Sequence, residues 1–335
     1  MNENSPLSAV NPKLMLVVSR ALAALRPSLI AFLAVNAQAL SGGVAVPISF
    51  CNLLFVGNLC AAFTVLAWFG VAPIWNDLRQ TPPRLLIGLF VNGCLAALLS
   101  SLIFIGLQHT MVTNAVLIAR LGPIIYAIAG AILFGKKILK SEWMGFSLIV
   151  LGILAIVLIS NNFQIDRGDL YIVGSALVYA ATAIAGKLML SKDTPLRTVV
   201  FTRNFVSSVI FFAIASILFG PEHFGDVFAG QLWLIMTIYA LVIIVAAQFL
   251  WYAALGRLDS RVVGKWTVLS PVFGVIFAFF LNGERPSAIQ GVAFAVIMVG
   301  LWVTTLGRPK PAQPEDKDMA VKEIAASGES SASGS

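Results

Sequence analysis

A chain of 335 residues that is 59% hydrophobic and 11% charged, with mean hydropathy +0.92, lies far from soluble globular domains, in which about a quarter of residues are charged. Its net charge of +7 would suggest nucleic acid in a soluble protein. Here the basic residues gather in the loops between apolar runs, where they set orientation in a bilayer, and nucleic acid is not an expected partner. The runs approach the roughly 20 residues that carry a helix across a ~30 Å hydrocarbon core, and they are too uniformly apolar for a membrane β-barrel.

Residues 1–12 are polar and lack a basic region ahead of a short apolar stretch with a cleavage site, so no removable signal peptide is expected and the first span directs insertion. Residues 13–25 are short and amphipathic, with Arg20 and Arg26 ahead of Pro27; they lie at the interface or lead into the first helix, and 1–27 form a cytoplasmic N-terminal segment. Spans follow at 28–44, 50–71, 85–107, 112–134 and 144–159, giving a first five-helix unit over 28–160. Trp68 and Trp75 mark an interface, and 77–84, with Pro82 and Pro83, reads as a polar turn. A polar connector, 161–169, is short enough to join two units. Spans at 170–190, 199–218, 232–255, 262–281 and 289–306 make the second unit, 170–306. Residues 307–335 turn to Pro, Ala, Ser and charged residues and read as a disordered cytoplasmic tail.

The two units are copies. Shifted by 148 positions, 107–152 falls without a gap on 255–300, placing Pro123 on Pro271, Gly135 on Gly283 and Gly152 on Gly300. Apolar segments align easily, but a proline and two glycines in one register do not. With the N-terminus inside, seventeen basic residues fall on the cytoplasmic side and only Arg167 and Arg285 on the other, which sets both termini in the cytoplasm. Five helices per unit is an odd number, so the second copy enters from the opposite side. The expected fold is an all-α polytopic membrane protein of about ten transmembrane helices in two inverted five-helix repeats.

These features resemble the EamA-type branch of the drug/metabolite transporter superfamily. The resemblance covers 28–306 and is carried by Ala254-Leu255-Gly256-Arg257-Leu258, Leu269-Ser270-Pro271, Leu281-Asn282-Gly283-Glu284 and the glycine-punctuated 290–300. The first half departs from it, with Lys136 where the second has Glu284. The resemblance implies a central cavity between the halves, alternating access and transport of small metabolites such as amino acids across the cytoplasmic membrane, export being favoured over import. Nucleotide-derived, vitamin-like and drug-like solutes are alternative substrates. The partners expected are a solute and the lipid bilayer, for a monomer or homodimer.

Of 22 basic residues only Arg120, Arg203 and Lys265 lie inside spans, and no carboxylate does. A charge on a lipid face costs roughly 2.5 to 3.5 kcal/mol, so Arg120, the deepest, is expected to face the bundle; the alternative is capture by backbone carbonyls near Gly122-Pro123. Lys265 can snorkel from beside Arg261. Asn36, Asn92, Tyr126, Tyr179, Gln248, Trp251 and Trp266 are candidates to line a substrate cavity with Arg120 and Lys265. Pro123 and Pro271 each remove a mid-helix hydrogen bond and are expected to kink or gate their spans. Gly135 and Gly283 are expected to let helices approach closely.

An intramembrane enzyme or a scaffold is the competing class. No enzymatic activity is expected, because His109 and His223 sit near span ends and no HExxH pair or mid-membrane carboxylate is available. No GxxxxGK[ST] loop is present for ATP, and no cofactor or metal is expected. Cys51, Cys60 and Cys94 are widely spaced in apolar surroundings and read as packing residues.

Overall fold

The computed structural model describes residues 10–36, 39, 50–135, 137–159, 166–190, 194–219, 230–247, 250, 254, 257–258, 262 and 266–306. Among them there is no strand. Six helices are long and apolar enough to cross a membrane; Leu53–Phe69 and Val71–Gln80, bent by 99°, make a seventh when taken as one span, and Gly230–Ala246, Ser270–Asn282 and Ala288–Thr304 are shorter apolar helices. All but the first fall on one of the ten expected spans; Pro12–Leu33 lies mostly on the expected N-terminal segment.

Helix α1, Pro12–Val35, is the first departure from expectation. It runs unbroken through Arg20, Arg26 and Pro27, so the amphipathic stretch and the first span are one helix. Tertiary contacts outweigh the proline. Met15 and Leu16 are buried against Ala254, with Leu250, Leu258 and Trp266 beside them, and the Ser19 hydroxyl donates to the Ala247 carbonyl at 2.7 Å.

Helix α2, Phe50–Phe69, ends at Gly70, where a φ of 84° opens a left-handed turn that glycine adopts without steric penalty. The chain turns 99° there into α3, Val71–Gln80. Part of the expected polar turn at 77–84 is therefore helix, and Asp77 lies on it. Its carboxylate accepts from Arg197 Nε at 2.6 Å, Arg197 NH2 at 2.9 Å and the Thr198 hydroxyl at 2.7 Å.

Helix α4, Pro83–His109, is followed by α5, Val112–Ile118, and α6, Leu121–Phe134. These last two are one span broken at Ala119-Arg120, because Pro123 has no N–H for the Ala119 carbonyl; tight i→i−3 bonds, Arg120 N to Leu117 O and Gly122 N to Ala119 O, both 3.1 Å, take over. Helix α7, Lys140–Leu154, continues as a π-helical turn, Ala155–Ile159. The second half contains α8, Arg167–Leu190; α9, Leu196–Phe219; α10, Gly230–Tyr239, extended by a π-helical turn Ala240–Ala246; α11, Ser270–Asn282; and α12, Ala288–Thr304. Pro271 stands at the start of α11, after a matching tight turn in which Leu269 N bonds Trp266 O at 3.2 Å.

The duplication survives in the details. Gly135 and Gly283 cap α6 and α11 with φ of 64° and 66°. Neither is the close-contact glycine expected, since a Cβ there would meet nothing within 4 Å; the left-handed conformation is the reason for glycine at both. Glu142 and Gln290, again 148 apart, each reach back to the backbone N–H at the head of their helix, on Leu139 at 3.0 Å and on Ser287 at 2.8 Å.

Packing is likewise exchanged by swapping halves. α2 lies on α9 and α7 on α12, each helix against its own counterpart; α1 packs on α11 as α6 packs on α8, and α4 on α9 as α10 on α2. The two largest apolar clusters join α1, α2 and α4 to α9 and α10, and α5, α6 and α7 to α8 and α12. Among the described residues every apolar cluster draws on both halves.

The Asp77–Arg197 pair ties α3 to the start of α9, and the guanidinium's hydrogen bonds hold the Asp77 carboxyl below the usual carboxylate range. Its stabilisation is complete above the unfolded carboxylate value of about 3.9 and is lost as pH falls through the lowered folded one. Asp77→Asn should therefore cost roughly 1 kcal/mol, the upper end for an exposed pair. The deficit should be constant from neutral pH to about 5 and shrink below about 4. Thermal unfolding of both proteins in detergent across that range checks it.

Candidate functional site

The end of the bundle where α1, α4, α7 and α9 begin carries Arg79, Arg84, Lys140 and Arg197 and is called here the basic end. A cavity of about 770 Å³ reaches it from mid-bundle. Its walls are the central part of α1 (Arg20, Ala23, Arg26), Asn58 of α2, the centre of α4 (Asn92, Ala96, Leu99, Ser100), α8 from Tyr179 to Gly186, the first turns of α9 (Leu196, Val199, Val200, Arg203, Asn204) and the π-helical extension of α10 (Ile243, Ile244, Ala247). The walls are the first three spans of each half, α1, α2 and α4 with α8, α9 and α10, so the site is shared between the repeats near the middle of the bundle.

Three guanidinium groups, from Arg20, Arg26 and Arg203, face this space, and no carboxylate is among its described lining residues. The cost of an arginine in the span is met by placing it on an aqueous cavity rather than on lipid. The polar side chains are oriented by their own helices: Asn58 donates to the Leu54 carbonyl at 2.7 Å, Asn204 to Val200 at 2.8 Å and Thr182 to Val178 at 2.8 Å. Each bond uses a donor and leaves the side-chain oxygen available to accept.

At the opposite end, among the described residues, side chains tie helices of the two repeats together. Glu284, just past α11, accepts from Thr113 N at 2.8 Å, from the Thr113 hydroxyl at 2.7 Å and from Val112 N. The carboxylate thus occupies the first turn of α5, where free N–H groups and the helix dipole favour negative charge. Beside it Gln290 donates to Asn114 at 2.7 Å, and Thr110 donates to Asp169 at 2.6 Å. Helix α8 records the contrast between the ends. A Cβ on Gly168 would sit 2.6 Å from the His109 carbonyl carbon, backbone against backbone, whereas one on Gly186, in the cavity wall, meets nothing within 4 Å.

Of the candidates read from the sequence, Asn92 and Tyr179 line the cavity. Arg120 is not among its lining residues; its Nε donates to the Val116 carbonyl at 3.2 Å across the helix break. Gly122, two residues on, packs against the cavity wall: a Cβ there would lie 2.7 Å from Tyr179 Cδ1. Tyr126 is half-buried on α6. Asn36 caps α1 at the end opposite the basic end by donating to the Phe32 carbonyl at 2.9 Å, and Trp266 packs against the buried start of α1. Pro123 is exposed and Pro271 buried. Gln248, Trp251 and Lys265 lie outside the described residues, as do Lys136, the 160–165 part of the connector and the tail from 307.

Sequence reasoning missed Arg20, Arg26, Asn58 and Asn204. Pro27 had been read as a boundary, which put Arg20 and Arg26 outside the membrane. Their spacing of six, with Ala23 between them, was the available signal: residues three apart share a helix face.

The chain matches the EamA-like transporter family over 32–158 and again over 166–306, one match per repeat. It belongs to that family. An uncharacterized transporter of Synechocystis sp. is 29% identical over 281 residues, 80% of this chain and 79% of its own, and one from Archaeoglobus fulgidus is 25% identical over 76% and 87%. A protein of Escherichia coli described as a probable amino-acid metabolite efflux pump is 25% identical over 53% of this chain and 62% of its own. A crystal structure covering 86% of the chain and 98% of its own shares the fold, with a TM-score of 0.55 at 21% identity. This EamA-family chain is thus a multi-pass membrane transporter by family, and the cavity shared by its two repeats is the candidate substrate site.

Proposed function

We propose that this transporter carries a small anionic or zwitterionic metabolite across the cytoplasmic membrane by alternating access, with export favoured. The observation that carries the reading is the cavity itself: three arginines and no described carboxylate face a space on the basic side of the bundle, while Glu284 ties the two repeats together at the other end. A carboxylate on the solute offsets the desolvation of the guanidinium groups, whereas a cationic drug meets repulsion. With Arg20 and Arg26 moved into the span, fifteen basic residues against two still support a cytoplasmic basic end, so the conformation reads as inward-facing, the loading state of an exporter. The printed description of the Escherichia coli relative makes amino acids the first solutes to try. Asn92, Tyr179 and Arg203 are proposed to contact the solute, and Arg120 to brace the wall behind Tyr179.

Counterflow in proteoliposomes tests this. Arg203→Gln, at equal membrane abundance and unchanged thermal stability, should lower exchange of an anionic or zwitterionic solute at least about tenfold, as expected for a lost charge-assisted hydrogen bond; Arg120→Gln should have the smaller effect. Unchanged exchange by Arg203→Gln would remove the cavity from the transport path.

A further inference from the structure

Helix α3 leaves α2 at 99°. Since α2 crosses the bilayer, α3 runs along its surface at the basic end. The sequence of α3 fits that path: Asn76, Asp77, Arg79 and Gln80 would be costly in hydrocarbon, and the helix divides into two faces, as helices lying in the interface do.

One face is held by the bundle. Ile74 is 1% exposed, and the Asp77 carboxylate accepts from Arg197 and Thr198 of α9. These contacts fix α3 about its own axis and so decide what it presents outward. The outward face carries Val71, Trp75 and Arg79, a stripe at i, i+4 and i+8 that covers about 12 Å of helix. Val71 is 66% and Trp75 53% exposed, and Arg79 is exposed as well. The guanidinium carbon of Arg79 stands 5.1 Å from the centre of the Trp75 ring, a cation–π contact that keeps the charge beside the indole.

This charge has no neutralising group on its own helix, because Asp77, the one carboxylate of α3, is taken by Arg197. Arg84, exposed in the first turn of α4, adds a second positive charge at the same end. An indole of this kind settles at headgroup depth, and the anion found there that matches a guanidinium is a phosphate.

We infer that α3, through Trp75 and Arg79, is a docking surface for anionic phospholipid headgroups in the leaflet at the basic end. A zwitterionic lipid carries its own cation beside the phosphate and cancels the attraction. A lipid of net negative charge is favoured about fivefold for one basic residue near the surface.

The full-length protein in phosphatidylcholine nanodiscs tests this, with either phosphatidylglycerol or phosphatidylcholine brominated on its upper acyl carbons as the quencher. The fluorescence that Trp75→Phe removes is the signal of Trp75. Half of that signal should be quenched at an about fivefold lower mole fraction of the brominated phosphatidylglycerol than of the brominated phosphatidylcholine. Arg79→Gln, an exposed substitution that leaves folding intact, should bring the two fractions to within about twofold. Lys140→Gln removes the same charge from the head of α7 at the same end and should leave the preference as it was. Equal fractions in the unaltered protein, or a preference that survives Arg79→Gln, overturn the surface. An equal loss in Arg79→Gln and Lys140→Gln overturns it in favour of a general attraction by the basic end. A Trp75 signal that neither lipid quenches means that something else, such as a second copy of this chain, covers α3, and overturns it too. Nothing in this measurement reads transport, so its failure leaves the carrier reading as it stands.

Discussion

Gly300→Leu is expected to lower folding stability by about 3 kcal/mol, the upper end for overpacking a filled interface. Helices α7 and α12 are counterparts in the two repeats, and they touch through small residues. A Cβ on Gly300 would lie 2.8 Å from the Gly145 carbonyl oxygen and 3.0 Å from Ile149 N; one on Gly152 would lie 3.0 Å from the Ala293 oxygen. Positions 145 and 293 are themselves 148 apart, so the two-fold relation puts each glycine under the equivalent carbonyl of the other helix. Backbone cannot yield as a flexible side chain does, and in lipid such close contact is the main attraction between apolar helices. Gly291→Leu on the same helix is the control, since a Cβ there meets nothing within 4 Å; it should change stability by less than about 0.5 kcal/mol. Thermal unfolding and monodispersity in detergent measure both, and equal behaviour of the two variants would sink the interface argument.

Glu284→Ala is expected to loosen the contact between the two repeats at the end opposite the basic end. The carboxylate binds the end of α11 to the first turn of α5 through two backbone N–H groups and one hydroxyl, and α5 and α11 belong to different repeats. Removing a helix cap of this kind costs roughly 1 to 2 kcal/mol, which moves a two-state equilibrium about five- to thirtyfold. In a carrier that works by alternating access this appears as a larger population open at that end. Spin labels at Gln108 and Ile289, on a background without native cysteines, should gain a longer-distance component in Glu284→Ala, and Glu284→Gln, which keeps one acceptor oxygen but loses the charge, should lie between. An unchanged distance distribution in Glu284→Ala would mean that the other contacts across this end, Gln290 with Asn114 and Thr110 with Asp169, hold it without Glu284.

The sequence could show that Gly135 and Gly283 correspond, because identity at a fixed offset is a one-dimensional property. It could not show why they are glycines: left-handed backbone and close packing both favour glycine, and only the dihedral angles separate them. Arg120 illustrates the same limit for the site. Hydropathy correctly marked it as a charge inside a span, yet the break before Pro123 supplies a carbonyl for it, and the cavity lies where other arginines converge.

Length, apolar runs and the 148-residue repeat settled the class, the number of spans, the five-helix unit and its inverted relation, because each follows from helix rise, bilayer thickness and the parity of crossings. The path of α1 through Pro27, the sharing of both cores between the repeats and the assembly of Arg20, Arg26, Arg203, Asn58, Asn92 and Asn204 around one space were decided by tertiary packing. Uniformly apolar helices carry little facial pattern to announce which side meets lipid, protein or water. The residues of this site come from four helices of two units, and nothing in their order along the chain marks them as neighbours.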